Sequence, residues 1–182
     1  MSDTRKKILW ITRTGILIAL LIALQWGTGF TKAFAGQYIT GSCVNAVLAV
    51  AALFGGVGCG AVVALLSPFF AFLLGVGPQV IQIIPCIALG NLALVLVLST
   101  LNKGTLPLWR QGVNVAVAAA AKFIFLYVAV VHAVIPAMGE ALKPKQVETF
   151  TAMFSWPQLV TALIGGALGL LIVAALKRAF KK

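Results

Sequence analysis

Long apolar runs, separated by short clusters of glycine, proline, amide and basic residues, organise this chain from end to end. Six of them read as membrane-crossing helices, at about 8–26, 43–54, 61–74, 80–101, 111–134 and 159–175. A helix rises about 1.5 Å per residue, so roughly 20 residues cross a hydrocarbon core of about 30 Å. The second run is short, and a start near Tyr38 would lengthen it. The pattern predicts an all-α polytopic membrane protein, folded as one integral membrane domain over residues 1–182. Two polar segments, 27–42 and 135–156, are long for simple connections and are expected to form outer loops that act as lids or binding loops.

The breaks carry their own signals. Gly55-Gly-Val-Gly-Cys-Gly60 predicts a tight turn into the third span, and no P-loop lysine or βαβ context makes it a phosphate cradle. Ser67-Pro68 predicts a kink within that span. Gly75-Val-Gly-Pro-Gln79 breaks the chain again, and Pro85 predicts a locally unwound start to the fourth span. Trp156-Pro157 opens the sixth, whose Gly165-Gly166-xx-Gly169 is a close-packing face.

Composition strengthens this picture. Of 182 residues, 62% are hydrophobic and 9% charged, which no soluble domain of this size matches. A net charge of +11 invites a nucleic-acid reading, but the basic residues cap apolar spans instead of forming a patch. Arg5, Lys6, Lys7, Arg13, Lys103, Arg110, Lys177, Arg178, Lys181 and Lys182 fall on one side of the six-span topology, against Lys32, Lys143 and Lys145 on the other. By the positive-inside rule both termini are then cytoplasmic, and Trp10 and Trp109 at one interface with Trp26 and Trp156 at the other agree. The N-terminus also admits a signal-peptide reading, with Ala33-Phe34-Ala35 as the cleavage site, although that leader would be long. Cys43, Cys59 and Cys86 are isolated and read as small hydrophobes. One histidine and three acidic residues leave almost nothing for acid–base chemistry or metal binding.

One lysine stands out. Lys122 lies roughly 16 Å along the fifth helix from Gln111, deep in an apolar stretch. A charge at that depth costs at least about 2.5–3.5 kcal/mol and marks a functional site by default, whereas snorkelling or bracing another helix is the structural alternative. Val115, Ala118, Ala119, Leu126 and Ala129 share its face at helical spacing, as a packed or cavity-lining face would. No Asp or Glu lies within the spans to pair with it. Either Lys122 is neutral through desolvation, or the ligand supplies its counter-charge. The second option predicts an anionic substrate, most simply a carboxylate. Asn91 and Asn45 offer amides at similar or shallower depth, with an interhelical hydrogen bond the favoured role for Asn45. Gln79 and Gln82 sit near the outer mouth, and Tyr38, Phe34, Phe154 and Trp156 are candidates for an apolar lid.

A basic N-terminus leads into a first span with Ala19-Leu-Leu-Ile-Ala23; a long outer segment follows, then a span ending in Ala51-Ala-Leu-Phe-Gly-Gly-Val-Gly-Cys-Gly-Ala-Val-Val-Ala64. With the size and six-span topology, this resembles the substrate-binding subunit, or S component, of an energy-coupling factor (ECF) vitamin transporter. The resemblance covers most of the chain. It implies a multi-pass protein of the bacterial plasma membrane that binds a vitamin or precursor from outside. It implies no catalysis and no cofactor. Energy would come from a transmembrane coupling protein, meeting Ala19 and Ala23, and from two ATP-binding subunits. The competing reading is a self-sufficient small-solute transporter or channel that works as an oligomer, although no acidic relay accompanies Lys122. No H-E-x-x-H, paired carboxylate or nucleophile–base set appears in the spans, so an enzyme is not expected.

Overall fold

The computed structural model describes residues 2–29, 34–102 and 106–179, apart from the side chains of Phe34 and Ala35. Lys32, Ala33, Lys103, Lys181 and Lys182, used above to argue topology and cleavage, lie outside the described residues. Everything regular among the described residues is helical. The helices are α1 (Asp3–Gly29), α2 (Phe34–Val50), α3 (Val57–Leu73), α4 (Ile84–Leu101), α5 (Leu108–Leu126), α6 (Ile135–Met138), α7 (Pro144–Met153) and α8 (Trp156–Ala179). Five helical stretches are long and apolar enough to cross a membrane. The third predicted span, α3, is apolar but has only 17 residues, near the lower limit for a crossing.

Two helices continue into wider turns. α2 passes into a π-helical turn, Ala51–Gly55, and α5 into a π-helix, Tyr127–Val134. Gly56 then reverses the chain at φ +87°, a left-handed conformation that favours a residue without a Cβ. Pro68 does not interrupt α3, which runs through it. Pro85 falls at the start of α4, after a 3₁₀ turn at Ile81–Ile83, where a missing N–H leaves no intrahelical bond unmade.

The outer segments differ most from the sequence expectation. Most of 27–42 is helix, with α1 running to Gly29 and α2 beginning at Phe34. Its glycines and threonines read as breakers but do other work here. The Thr28 hydroxyl donates to the Leu24 carbonyl at 2.6 Å, one turn back in its own helix. The Thr40 hydroxyl donates to that of Thr28 at 2.8 Å, which ties α2 to α1. Segment 135–156 is likewise no open loop. It folds into α6, a 3₁₀ turn (Gly139–Ala141) and α7, and buries Ile135, Leu142, Phe150 and Phe154 against Ile83, Leu126 and Val130.

A larger core fills the other half of the bundle, with Leu48, Ala49, Val95, Leu98, Ala118 and Ala119 fully buried. Its closest seam joins α2 and α8, the most extensively packed pair. A Cβ on Gly165 would lie 2.5 Å from both the Asn45 Cβ and the Ser42 carbonyl oxygen, so only glycine lets these backbones approach so closely. α1 buries only a narrow stripe, Thr14, Leu17, Leu21 and Gln25, at intervals of three and four residues. Its opposite face, with Ala19 and Ala23, is exposed.

Candidate functional site

Four helices each place one polar side chain in the middle of the apolar bundle. Lys122 on α5 is 3% exposed, and Asn45 on α2, Asn91 on α4 and Thr161 on α8 are 1–2% exposed. Lys122 Nζ donates to Asn45 Oδ1 and to Asn91 Oδ1, both at 2.7 Å, the length of charge-assisted hydrogen bonds. Because Nζ only donates, both amides are oriented with their oxygens toward it. Asn45 Nδ2 then donates to Thr161 Oγ1 at 3.4 Å, and Thr161 Oγ1 to the Gln158 carbonyl at 3.3 Å. The helices supply this arrangement through close contact. The Gly165 seam holds Asn45 against α8, and Gly90 lets Leu126 approach α4, since a Cβ there would lie 2.7 Å from the Leu126 side chain.

Lys122, Asn45 and Asn91 form part of the wall of a cavity of about 720 Å³. Such a volume lies within the usual range for small-molecule sites. The lining includes Gln25, Thr28, Gln37, Thr40, Val44, Ser67, Pro68, Ala71, Val76, Pro78, Ile84 and Ile87, then Met153, Phe154 and Gln158 beneath the cap. Apart from Val76 and Pro78 in the link after α3, and Met153 and Phe154 at the end of α7, these residues come from the C-terminal ends of α1 and α3 and the N-terminal ends of α2, α4 and α8. The cavity therefore opens at the end of the bundle covered by α7, opposite the start of α1 and the end of α8. Beyond Lys122, in the other half, the buried core closes the bundle.

Charge at this site is unbalanced. The described residues contain one ion pair, Lys6 with Asp3 at 3.9 Å, far from the cavity in the first turn of α1. Lys122 thus has two neutral acceptors and no carboxylate partner among the described residues. Lys145 and Glu148, both exposed on α7, also line the cavity. Two lysines against one glutamate leave one net positive charge on its wall. An ammonium has three N–H donors, and the two asparagines occupy two of those on Lys122. The third is available to a bound group.

The structure brings Lys122, Asn91 and Asn45 together and puts Phe154 in the same cavity wall, but leaves Gln79, Gln82, Tyr38 and Trp156 out of it. Gln79 and Gln82 are exposed and do not line the cavity, whose wall there is Val76, Gly77 and Pro78. Tyr38 also falls outside the lining. Helical phase explains it, because Gln37, Thr40, Gly41, Val44 and Asn45 take the inner face of α2 at intervals of three and four. Trp156 is 69% exposed and stacks on Phe123, with ring centroids 6.0 Å apart. Phe154 does line the cavity, 1% exposed. Ala19 and Ala23 lie on the outward face of α1, away from the cavity.

Sequence reasoning passed over Gln25, Ser67, Thr161 and Gln37. The available signal was a polar residue inside or at the margin of an apolar run, the same signal that identified Lys122. Gln37 Nε2 and Gln158 Nε2 both donate to the Met153 carbonyl, at 2.8 and 3.2 Å, and fasten the end of α7 to α2 and α8. No protein-family model, curated protein or solved structure matches this chain.

Proposed function

We propose that this chain is the substrate-binding S component of an ATP-driven ECF importer, and that it captures a small anionic vitamin or vitamin precursor, most simply a carboxylate. The observation that carries this reading is Lys122: a buried lysine in a cavity wall, held by two amide oxygens, with no carboxylate beside it among the described residues. An isolated charge in an apolar bundle is costly, so a site that keeps one without an acidic partner is suited to take the counter-charge from its ligand. The asparagines fix Nζ at the depth where that ligand's acid group would rest. Val44, Ala71, Ile87 and Phe154 supply apolar surface for the remainder.

Three further features support this reading over a channel. The core beyond Lys122 is filled by Leu48, Val95, Leu98 and Ala118, which are fully buried, so the cavity ends inside the bundle. α7 covers the open end and is fastened by Gln37 and Gln158, as a binding protein's lid would be. Arg5, Lys6, Lys7, Arg110, Lys177 and Arg178 lie at the ends of helices far from the cavity. In a six-span bacterial plasma-membrane protein with both termini cytoplasmic, the cavity then faces outside.

Binding and transport are separate tasks in this reading. Ala19 and Ala23, exposed on α1, form the contact for a transmembrane coupling protein, and two ATP-binding subunits energise release. Replacing both alanines with tryptophan tests the assignment: ligand binding should survive while uptake by cells fails. Full uptake by that double variant would refute the interface. Co-purification of a coupling protein and two ATPases with the wild-type chain is expected, and a self-sufficient transporter would bring none.

A further inference from the structure

Gln25 is a second polar feature of the cavity wall, and it lacks half of its hydrogen bonding. The side chain is 2% exposed on α1. Its Nε2 donates to the Ser67 carbonyl at 3.2 Å, with the Ser67 hydroxyl at 3.5 Å. A carbonyl oxygen only accepts, so this contact decides which end of the amide is nitrogen. Oε1 is left as the one buried side-chain polar atom without a hydrogen-bond partner among the described residues. Buried acceptors are nearly always paired, and an orphan beside a cavity is explained by something that arrives there.

Its depth can be worked from the helices. Thr28 on α1 and Thr40 on α2 are level, because their hydroxyls bond at 2.8 Å. Gln25 lies three residues deeper than Thr28, and Asn45 five residues deeper than Thr40. At about 1.5 Å per residue Gln25 is only roughly 3 Å nearer the mouth than Asn45, which holds Lys122. Donor and acceptor therefore share one polar layer. Above it the wall sets the apolar Ala71, Val76, Ile84, Ile87 and Phe154 beside Thr28, Gln37, Thr40 and Gln158.

We propose that the ligand's polar head pairs an acid group for Lys122 with an N–H or O–H donor for Gln25 Oε1, its apolar body pointing toward the mouth. The class is a hydroxy acid or an N–H-bearing acid, as distinct from a simple fatty or aryl acid. This rests on the anion reading above and narrows it. A ligand lacking the donor leaves Oε1 unpaired, and sites built for a hydrogen bond discriminate against such analogues.

The test uses the full chain, freed of bound ligand and held in lipid nanodiscs. It is equilibrated with matched acids that differ only by a methyl group on the donor. The pairs are phenyllactate and its O-methyl ether, indole-2-carboxylate and its 1-methyl form, and indole-3-propionate and its 1-methyl form. Retained compounds are quantified by mass spectrometry. At least one donor-bearing acid should be retained roughly tenfold over its methylated partner. In Gln25→Met that preference should vanish while retention stays sensitive to Lys122→Met. Because the wild type alone reads the ratio, the test stands even if Gln25→Met does not fold. Equal retention within every pair overturns this inference and leaves the anion reading in place. Retention of no acid at all overturns both.

Discussion

Gly165→Ala tests how the helix seam builds the site. The new Cβ would lie 2.5 Å from the Asn45 Cβ, 2.5 Å from the Ser42 carbonyl oxygen and 2.8 Å from the Ala46 nitrogen. Carbon atoms in contact prefer about 3.5–4.0 Å, so α2 and α8 must separate by roughly 1 Å. Two of the three obstructing atoms are backbone, so no rotamer change relieves the clash. Overpacking of this kind costs about 1–3 kcal/mol. A 1 Å shift of Asn45 would also stretch its 2.7 Å bond to Lys122 beyond hydrogen-bonding range. An unmet buried donor adds about 1–3 kcal/mol. Together these give a loss of at least about 2 kcal/mol, or roughly 4 °C in melting temperature for a chain of this length. Thermal unfolding in detergent measures it, with binding of the co-purified ligand recorded in parallel. Gly112→Ala is the control, because nothing lies within 4 Å of its added Cβ. Gly165→Ala melting and binding like the control would refute the link between the glycine seam and Lys122.

Other perturbations act separately on the lysine site, the cap and the outward face of α1. Asn91→Leu removes one of the two Lys122 acceptors, and should weaken ligand binding at least tenfold in a titration of the ligand-depleted chain. Gln37→Ala frees one of the two amides on the Met153 carbonyl, and should speed ligand exchange about two- to tenfold in stopped-flow measurements with little change in melting. Unchanged exchange would mean that α7 is not the lid. Ala19→Trp with Ala23→Trp should abolish uptake without weakening binding, read by radiolabelled transport beside equilibrium binding.

Lys122 was the most legible feature of the sequence, because a single charge in an apolar run stands out whatever the tertiary structure. Asn91 was legible as a lone amide in such a run. Gln25 was not, since it lies at the margin of its predicted span, where an amide reads as an interfacial residue. Its importance comes from Ser67, 42 residues away, whose carbonyl claims one end of the amide. Tyr38 and Trp156 were proposed on chemical type alone, which carries no helical phase; α2 turns Gln37 and Thr40 inward and leaves Tyr38 outside the cavity wall. The span ends were displaced for a related reason. Glycine and threonine break helices in water, but here Thr28 bonds its own helix and Gly165 admits a neighbouring one. The apolar runs were long enough to announce the helical bundle, while the cap over the cavity depended on Phe150 and Phe154 finding Ile83 and Val130, a pairing between distant segments.

In this reading Lys122 takes its counter-charge from the cargo. Native mass spectrometry of the gently purified chain, beside Lys122→Met purified identically and eluting as the same folded species, addresses it most directly. The wild type should carry a small molecule with an acidic group, and Lys122→Met should arrive empty. A variant that holds as much ligand as the wild type, or a ligand with no acidic group, would contradict it.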